Sequence, residues 1–378
     1  MHLLICPDSY KDALSAKEAA QAMAKGALRA CPEVKITECP LADGGEGSLE
    51  AILAATGAER RYAWVKDALG RPCRAAWGWK SETRTAFIEL AEASGLQALS
   101  LQERTALHSS TYGVGELIRE ALDAEAKHIV VLLGGSATND GGAGMLTALG
   151  ARLMNASHQP LLPGGAALGD LEYLDITELD SRLPGVNISA AVDVDNPLLG
   201  KRGATAVFGP QKGANDDDVI ALDAALTRFA DKTRQVLGMD YRDLPGVGAA
   251  GGIGFALKAF LNAKLMPGVE LIIEYVGIEP HLVTADMVIT GEGQLDGQSL
   301  SGKTPIGIAR LAKRYNVPVI VLAGRLGPEW QSALKEGVST AFALADGPMH
   351  LNEALARCAE LLSDRTESVL RMRMAFDK

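Results

Sequence analysis

The chain has 378 residues, is 47% hydrophobic and 22% charged, and carries a formal net charge of −10, with 41 glycines and only 5% aromatic residues. This length suits two or three domains; the acidic balance argues against a nucleic-acid backbone as partner, and the scarcity of aromatics against a stacking platform for single strands. Five scattered cysteines without a C-x-x-C, and six histidines without metal-ligand spacing, fit a reduced, cytoplasmic setting.

MHLLICPDSYKDALS opens the chain with a short apolar run, no basic leader and no small-residue cleavage site, so it predicts a strand at Leu3–Asp8 and not a signal peptide. No apolar run approaches the ~20 residues needed to span a bilayer, so no membrane partner is expected. Ser15–Arg29 follows as a helix, with Ser15 and Glu18 spaced as a capping box. ITECPLADGG (Ile36–Gly45) predicts a second strand. The texture then changes: Arg61–Ala91 alternates polar and apolar residues around the turn signal Leu69–Gly70–Arg71–Pro72, as antiparallel strands do. A helix at Tyr112–Ala126, a buried strand at His128–Gly135, another at Ile188–Val194 and a helix at Asp216–Leu237 come next. DMVITGEG (Asp286–Gly293) is a strand expected to end near Thr290, ahead of a helix starting near Thr304. PVIVLAG (Pro318–Gly324), the helical stretch Glu329–Glu336 and the strand STAFAL (Ser339–Leu344) complete the chain.

The predicted fold is α/β with two α/β domains. Residues 1–65 and 285–378 form a discontinuous Rossmann/flavodoxin-like domain on a five-stranded parallel sheet. Residues 66–284 form an inserted mixed α/β domain.

Three glycine-rich stretches invite a chemical reading. GQSLSGKT (Gly297–Thr304) matches the phosphate-loop pattern G-x-x-x-x-G-K-[ST], in which backbone N–H groups cradle phosphates. With GEGQLD between the expected strand end and Gly297, and Pro305 after the match, the letters lack the strand–loop–helix context. Thr304 is then expected as a helix N-cap, with Lys303 at a helix start that favours an anion. GVGAAGG (Gly246–Gly252) contains G-x-G-x-x-G, but YRDLP before it is a poor strand, so a dinucleotide fold is not predicted there. GGSATNDGGAGM (Gly134–Met145) is the richest: a buried strand runs into glycines, hydroxyls, an amide and a carboxylate, where open α/β sheets bind ligands. Ser136, Thr138 and Asn139 could wrap phosphate or ribose oxygens and Asp140 could hold Mg²⁺; a capped strand-to-helix turn is the alternative.

Carboxylates recur after strands: Asp43 and Glu46, Asp193 and Asp195, Glu292 and Asp296. Beside Lys11, Lys212 and Lys303 they resemble a kit for phosphoryl transfer, which needs cations on the phosphate oxygens and a carboxylate to take the acceptor's proton.

DSYKDALSA (Asp8–Ala16), PLADGGEG (Pro40–Gly47), GGSATNDGGAGML (Gly134–Leu146), DVDNPLLG (Asp193–Gly200), FGPQKGA (Phe208–Ala214), GAAGGIG (Gly248–Gly254) and ITGEGQLDGQSLSGKTPIG (Ile289–Gly307) occur in that order. This set resembles the type-1 glycerate kinases. The resemblance implies ATP-dependent phosphorylation of D-glycerate to 2-phosphoglycerate in sugar-acid or glyoxylate breakdown, Mg²⁺-ATP as donor, and an active site in a cleft between two α/β domains. It also implies that ATP is not bound by a phosphate loop. The chain departs from the family where Asp12–Ala13 replaces Gly–Ser, and at Gln294, where Arg is frequent.

On that scaffold Lys11 with Ser9, and Lys303 with Thr304, are candidates for the substrate carboxylate or the transferring phosphate. Asp43, Asp193, Glu292 and Asp296 compete for Mg²⁺ and for the general base; Asp193 is taken as the base, and Asp193 with Glu292 as the metal ligands. Ser136, Thr138 and Asn139 are assigned to a ligand, nucleotide or glycerate. A kinase of another sugar acid or of the 3-hydroxyl, and a non-catalytic ligand sensor, are the rivals; a homo-oligomer is compatible with the sequence.

Overall fold

A computed structural model describes residues 1–45, 47–297 and 299–376. Its strands are, in chain order, β1 His2–Ile5, β2 Lys35–Glu38, β3 Glu59–Lys66, β4 Pro72–Lys80, β5 Thr85–Glu89, β6 His128–Leu132, β7 Arg152–Met154, β8 Tyr173–Asp175, β9 Asn187–Ala191, β10 Lys264–Met266, β11 Met287–Leu295, β12 Val319–Leu326 and β13 Val338–Ala343. The chain divides into two compact units: Met1–Asp43, Glu50–Gly57 and Pro267–Lys378 make the first, Gly44–Leu49 and Ala58–Met266 the second.

The first unit holds a fully parallel five-stranded sheet in the order β13-β12-β11-β1-β2, the two-plus-three set expected from sequence. Numbered within the unit this is order 2-1-3-4-5, the flavodoxin-like winding, and it reverses between β1 and β11. Loops leaving the carboxyl ends of strands on either side of such a reversal diverge and leave a ligand crevice. Ser15 caps the helix Ala16–Ala30 with both arms of the predicted box in place. That helix packs on the long helix Cys358–Ala375, because Gly26 lets the Ser363 carbonyl approach to where a Cβ would sit 2.0 Å away. A second pair, Thr304–Arg314 and Gly268–Val276, meets where Val269 fills the space left by Gly307.

The second unit holds a six-stranded sheet in the order β10-β9-β6-β5-β4-β3. β10, β9, β6 and β5 run parallel, while β5, β4 and β3 form the predicted antiparallel meander. The turn between β3 and β4 is held by Asp67, whose carboxylate accepts from the Leu69 and Arg71 amides, with Gly70 at φ 81°. Around the Phe229 ring, Phe255 packs edge-on and Phe260 stacks, centring the core. The helix Asp216–Leu237 has the predicted bounds, started by an Asn215 capping box and stopped by left-handed Gly238.

The boundaries expected at 65/66 and 284/285 are corrected on both sides. β3 is laddered to β4 over its whole length and so belongs with the second unit. Residues 267–284 join the first, since the apolar face of Gly268–Val276 packs there. β11 also runs five residues past Thr290, because its ladder with β12 continues through Gln294↔Arg325 and Leu295↔Leu326.

Candidate active-site residues

In the first unit, acidic residues gather at the reversal between β1 and β11. Asp8 lies beyond β1 and Glu292 on the carboxyl-terminal part of β11; Lys303 and Thr304 open the helix Thr304–Arg314. Thr304 Oγ1 donates to Asp8 Oδ2 at 2.6 Å, and Lys303 Nζ stands 3.7 Å from Glu292 Oε2. Glu292 is buried, and its Oε1 has no hydrogen-bond partner among the described residues. Burial above all, with the charges of Asp8 and Asp296, pushes Glu292 up to about 7, against the opposing pull of Ser299 and Lys303. Asp8 is pushed up to about 6, by burial first and then by the Asp43 charge. A group of carboxylates that resist ionising together, beside a lysine, is an arrangement waiting for positive charge.

Thr304 is not the N-cap. Lys303 takes that position with extended backbone (φ −65°, ψ 165°), and Thr304 is the first helical residue, its hydroxyl spent on Asp8. The strand also runs nearly into Gly297, contrary to the expected gap. What separates the segment from a phosphate cradle is its interior: a 3₁₀ turn at Ser299–Ser301, and Asp296 bonded to Ser299 through main-chain and side-chain groups. Gln294, at the position where Arg is frequent, donates to Asp296 Oδ2 at 2.6 Å and so positions that carboxylate. Ser9 and Lys11 are exposed in the loop after β1, where the Ser9 amide donates to Asp8 Oδ1. Asp12 adopts φ 63°, a left-handed conformation that glycine favours and Asp tolerates, so the Gly-to-Asp departure leaves the loop's shape possible. Glu46 lies outside the described residues.

The second unit carries the loop between β6 and the helix Ala143–Ala148. Ser136, Thr138, Asn139 and Asp140 are all buried. Asp140 is corrected from candidate metal ligand to internal brace. Its Oδ2 accepts from the Thr111 amide, the Thr111 hydroxyl and the Gly144 amide, and its Oδ1 from the Gly142 amide. Asp140→Asn is therefore expected to cost about 1–3 kcal/mol of stability, read in a thermal melt, because an amide N–H₂ would face donors. Added Mg²⁺ should shift the melts of variant and wild type alike; a folded variant that has lost a Mg²⁺ response shown by the wild type returns Asp140 to a metal.

Three consecutive left-handed residues, Ala250, Gly251 and Gly252, press GAAGG against this loop: a Cβ on Gly251 would sit 1.9 Å from the Thr138 carbonyl oxygen. The helix proper starts after them, and turns precede Gly246 where a dinucleotide fold needs a strand. Lys212 is buried; its Nζ donates to Ser136 Oγ at 2.8 Å and to the Thr138 carbonyl at 2.7 Å. Asn139 Nδ2 donates to Thr205 Oγ1. Asp193 is exposed two residues beyond β9, and Asp195 is exposed and ion-paired to Arg202 at 2.8 Å.

Of the predicted residues, Asp43, Glu292, Asp296, Lys303 and Thr304 belong to the first unit with Ser9 and Lys11; Ser136, Thr138, Asn139 and Asp193 belong to the second. No group of three or more His, Cys, Asp or Glu side chains among the described residues is already shaped around an ion. Sequence reasoning passed over Asp8, visible only as the first acid after the first strand, and the burial of Lys212, which no local pattern signals.

Comparison with known proteins agrees with this chemistry. A model of the glycerate kinase family matches residues 3–374. A glycerate kinase of Bacillus subtilis (strain 168) is 45% identical over 362 residues, 96% of this chain and 95% of that protein. A glycerate 2-kinase of Escherichia coli (strain K12) is 45% identical over 354 residues, covering 94% and 93%. A crystal structure of a Salmonella typhimurium LT2 protein assigned to glycerate kinase 2 superposes with a TM-score of 0.91 at 44% identity, covering 100% of this chain and 99% of that one. The chain belongs to the glycerate kinase family.

Proposed function

We propose, from membership of that family, that the chain transfers the terminal phosphoryl group of ATP to the 2-hydroxyl of D-glycerate. The observation that carries the reading is the first unit's acid–lysine cluster, in which the Glu292–Lys303 pair and the Thr304–Asp8 bond sit at the sheet's reversal. Lys303, at the start of the helix Thr304–Arg314, adds its charge to the helix dipole and suits anionic phosphate oxygens. Lys11 and Ser9, exposed in the loop after β1, are a second cationic and hydroxyl contact for the transferred group.

Single donors here suit Mg²⁺, although no three acids among the described residues are gathered as a finished metal group. Glu292 Oε1 is buried with no hydrogen-bond partner among the described residues, and Asp8 and Asp296 supply further hard oxygen donors of the kind Mg²⁺ selects. We assign Glu292, Asp8 and Asp296 to hold it, in place of the pair Asp193 and Glu292 expected from sequence, because the charges of Asp8 and Asp296 act on Glu292 within one unit; bound there it would neutralise charge on phosphate oxygens. Asp193 is kept as the residue that accepts the proton of the 2-hydroxyl. Asp43 is taken as a support of Asp8, whose carboxyl its charge helps to keep high. All five cysteines are free thiols, and no helix among the described residues is long and apolar enough to cross a membrane; we take the enzyme to work in the cytoplasm.

The test is ³¹P NMR of the purified protein with Mg²⁺-ATP and either enantiomer of glycerate. A 2-phosphoglycerate signal from D-glycerate alone is expected. A 3-phosphoglycerate signal moves the reaction to the other hydroxyl, and no phosphoester from a folded sample overturns the reading.

A further inference from the structure

The second unit contains a buried cation that makes no ion pair among the described residues. Lys212 is 1% exposed, and its ammonium donates to one hydroxyl and one carbonyl, both neutral. Two polar atoms of the same loop, Thr138 Oγ1 and Asn139 Oδ1, are buried with no hydrogen-bond partner among the described residues. The neighbouring acid cannot serve: Asp140 has both oxygens engaged by backbone amides and Thr111. The segment packed against Gly213 brings a further cation, Arg104, whose Nε is also buried with no hydrogen-bond partner among the described residues. Buried polar groups in native proteins are paired, so the free donors here, the third ammonium proton, the Thr138 hydroxyl and the Arg104 Nε–H, call for a ligand's oxygens, while the Asn139 oxygen calls for a donor such as a ligand's hydroxyl.

We propose that Lys212, with Ser136 and the Thr138 hydroxyl, seats the carboxylate of the hydroxy-acid substrate; this rests on the function proposed above. A carboxylate supplies what the loop lacks, two anionic acceptors for the third ammonium proton and for the orphaned hydroxyl. The approach is from Gly135, the exposed residue beside Ser136. Topology favours the hydroxy acid over the nucleotide. β6 and β9 are parallel neighbours whose last registered pair is Leu132↔Ala191, so this loop and Asp193 leave adjacent strand ends. A carboxylate held by the loop leaves the rest of a small hydroxy acid near the segment that carries Asp193. Burial depresses the Lys212 ammonium to about 7 despite the Asp140 charge, so an arriving anion must hold the proton in place.

The experiment measures KM for D-glycerate and for ATP between pH 6 and 9 in the wild type, Lys212→Arg and Lys212→Met. In the wild type, KM for D-glycerate should rise about tenfold per pH unit above about 7, as the free ammonium loses its proton. Lys212→Arg should flatten that rise, because a guanidinium stays charged. Lys212→Met should raise KM for D-glycerate about tenfold or more at pH 7, with KM for ATP changed by less than about twofold. Profiles that coincide in wild type and Lys212→Arg overturn the proposal and leave Lys212 a brace of the loop. A shift confined to KM for ATP overturns it in favour of a nucleotide phosphate. Should Lys212→Met not fold, the Arg profile decides. Absence of phosphoglycerate from the wild type is a different failure, that of the function itself.

Discussion

Glu292→Gln is expected to slow turnover about 10²–10³-fold, the scale of losing one electrostatic group in a phosphoryl-transfer site, while raising the melting temperature of the metal-free protein at pH 8. The two effects have one cause. A buried carboxylate with one oxygen unpartnered among the described residues and like charges nearby is costly to ionise in the fold, which pushes Glu292 up to about 7. Its folded value lies above its unfolded value, so its contribution to stability is full below the unfolded value and is lost as pH rises through about 7. At pH 8 the wild type carries that penalty and the glutamine does not. The difference is about 3 kcal/mol by the linkage of 1.36 kcal/mol per unit, and it should shrink toward zero as pH falls to the ordinary carboxylate range. Mg²⁺ should reverse the order, stabilising the wild type by mass action and the variant less. Melting curves at pH 5 and pH 8, with chelator and with Mg²⁺, test this beside a turnover assay. A variant less stable in chelator and equally slow would make Glu292 a structural residue and sink the assignment.

That trade of stability for charge explains what could be read from the sequence and what could not. β1 and the buried parts of β11 and β12 were legible as short apolar runs near proline or glycine, and the capping box at Ser15 and Glu18 because it is local; β2, Lys35–Glu38, is half polar and ends well short of the predicted Gly45. The end of β11 was not legible: Gly291 and Gly293 look like loop residues, yet the ladder to β12 needs them. A Cβ at Gly291 would sit 2.0 Å from the Leu322 carbonyl, so glycine there lets adjoining backbones approach. The same limit applies to the site. Acids and lysines after strands could be nominated, but their sorting depends on contacts between residues far apart in sequence. Asp140 is saturated by Thr111, 29 positions away, and Thr304 is turned from cap to hydrogen-bond donor by Asp8, 296 positions away. Lys212 could be named among the cations but not sorted from the others, because burial leaves no trace in FGPQKGA.

Asp193→Asn is expected to lower kcat about 10²–10⁴-fold, the range of a general base, with the melting temperature and both KM values little changed. Asp193 is exposed beyond the end of β9, so an isosteric amide leaves the fold intact. A base acts as the acceptor's proton leaves, so its loss should appear in kcat and kcat/KM together and spare ground-state binding. Asp195 supplies the control, since it stands two residues further on, is also exposed and is ion-paired to Arg202. Exposed pairs of that kind contribute about 0–1 kcal/mol, so Asp195→Asn should turn over at close to the wild-type rate. If both variants are slow, the segment acts through its shape and not through one carboxylate. If Asp193→Asn alone keeps near-normal turnover, the proton leaves by another route, and the loop that carries Lys212 binds a substrate whose base lies elsewhere. If only Asp193→Asn fails, carboxylate seat and base lie beyond adjacent strands of one sheet, β6 and β9, and that sheet's register sets how a three-carbon acid presents its 2-hydroxyl.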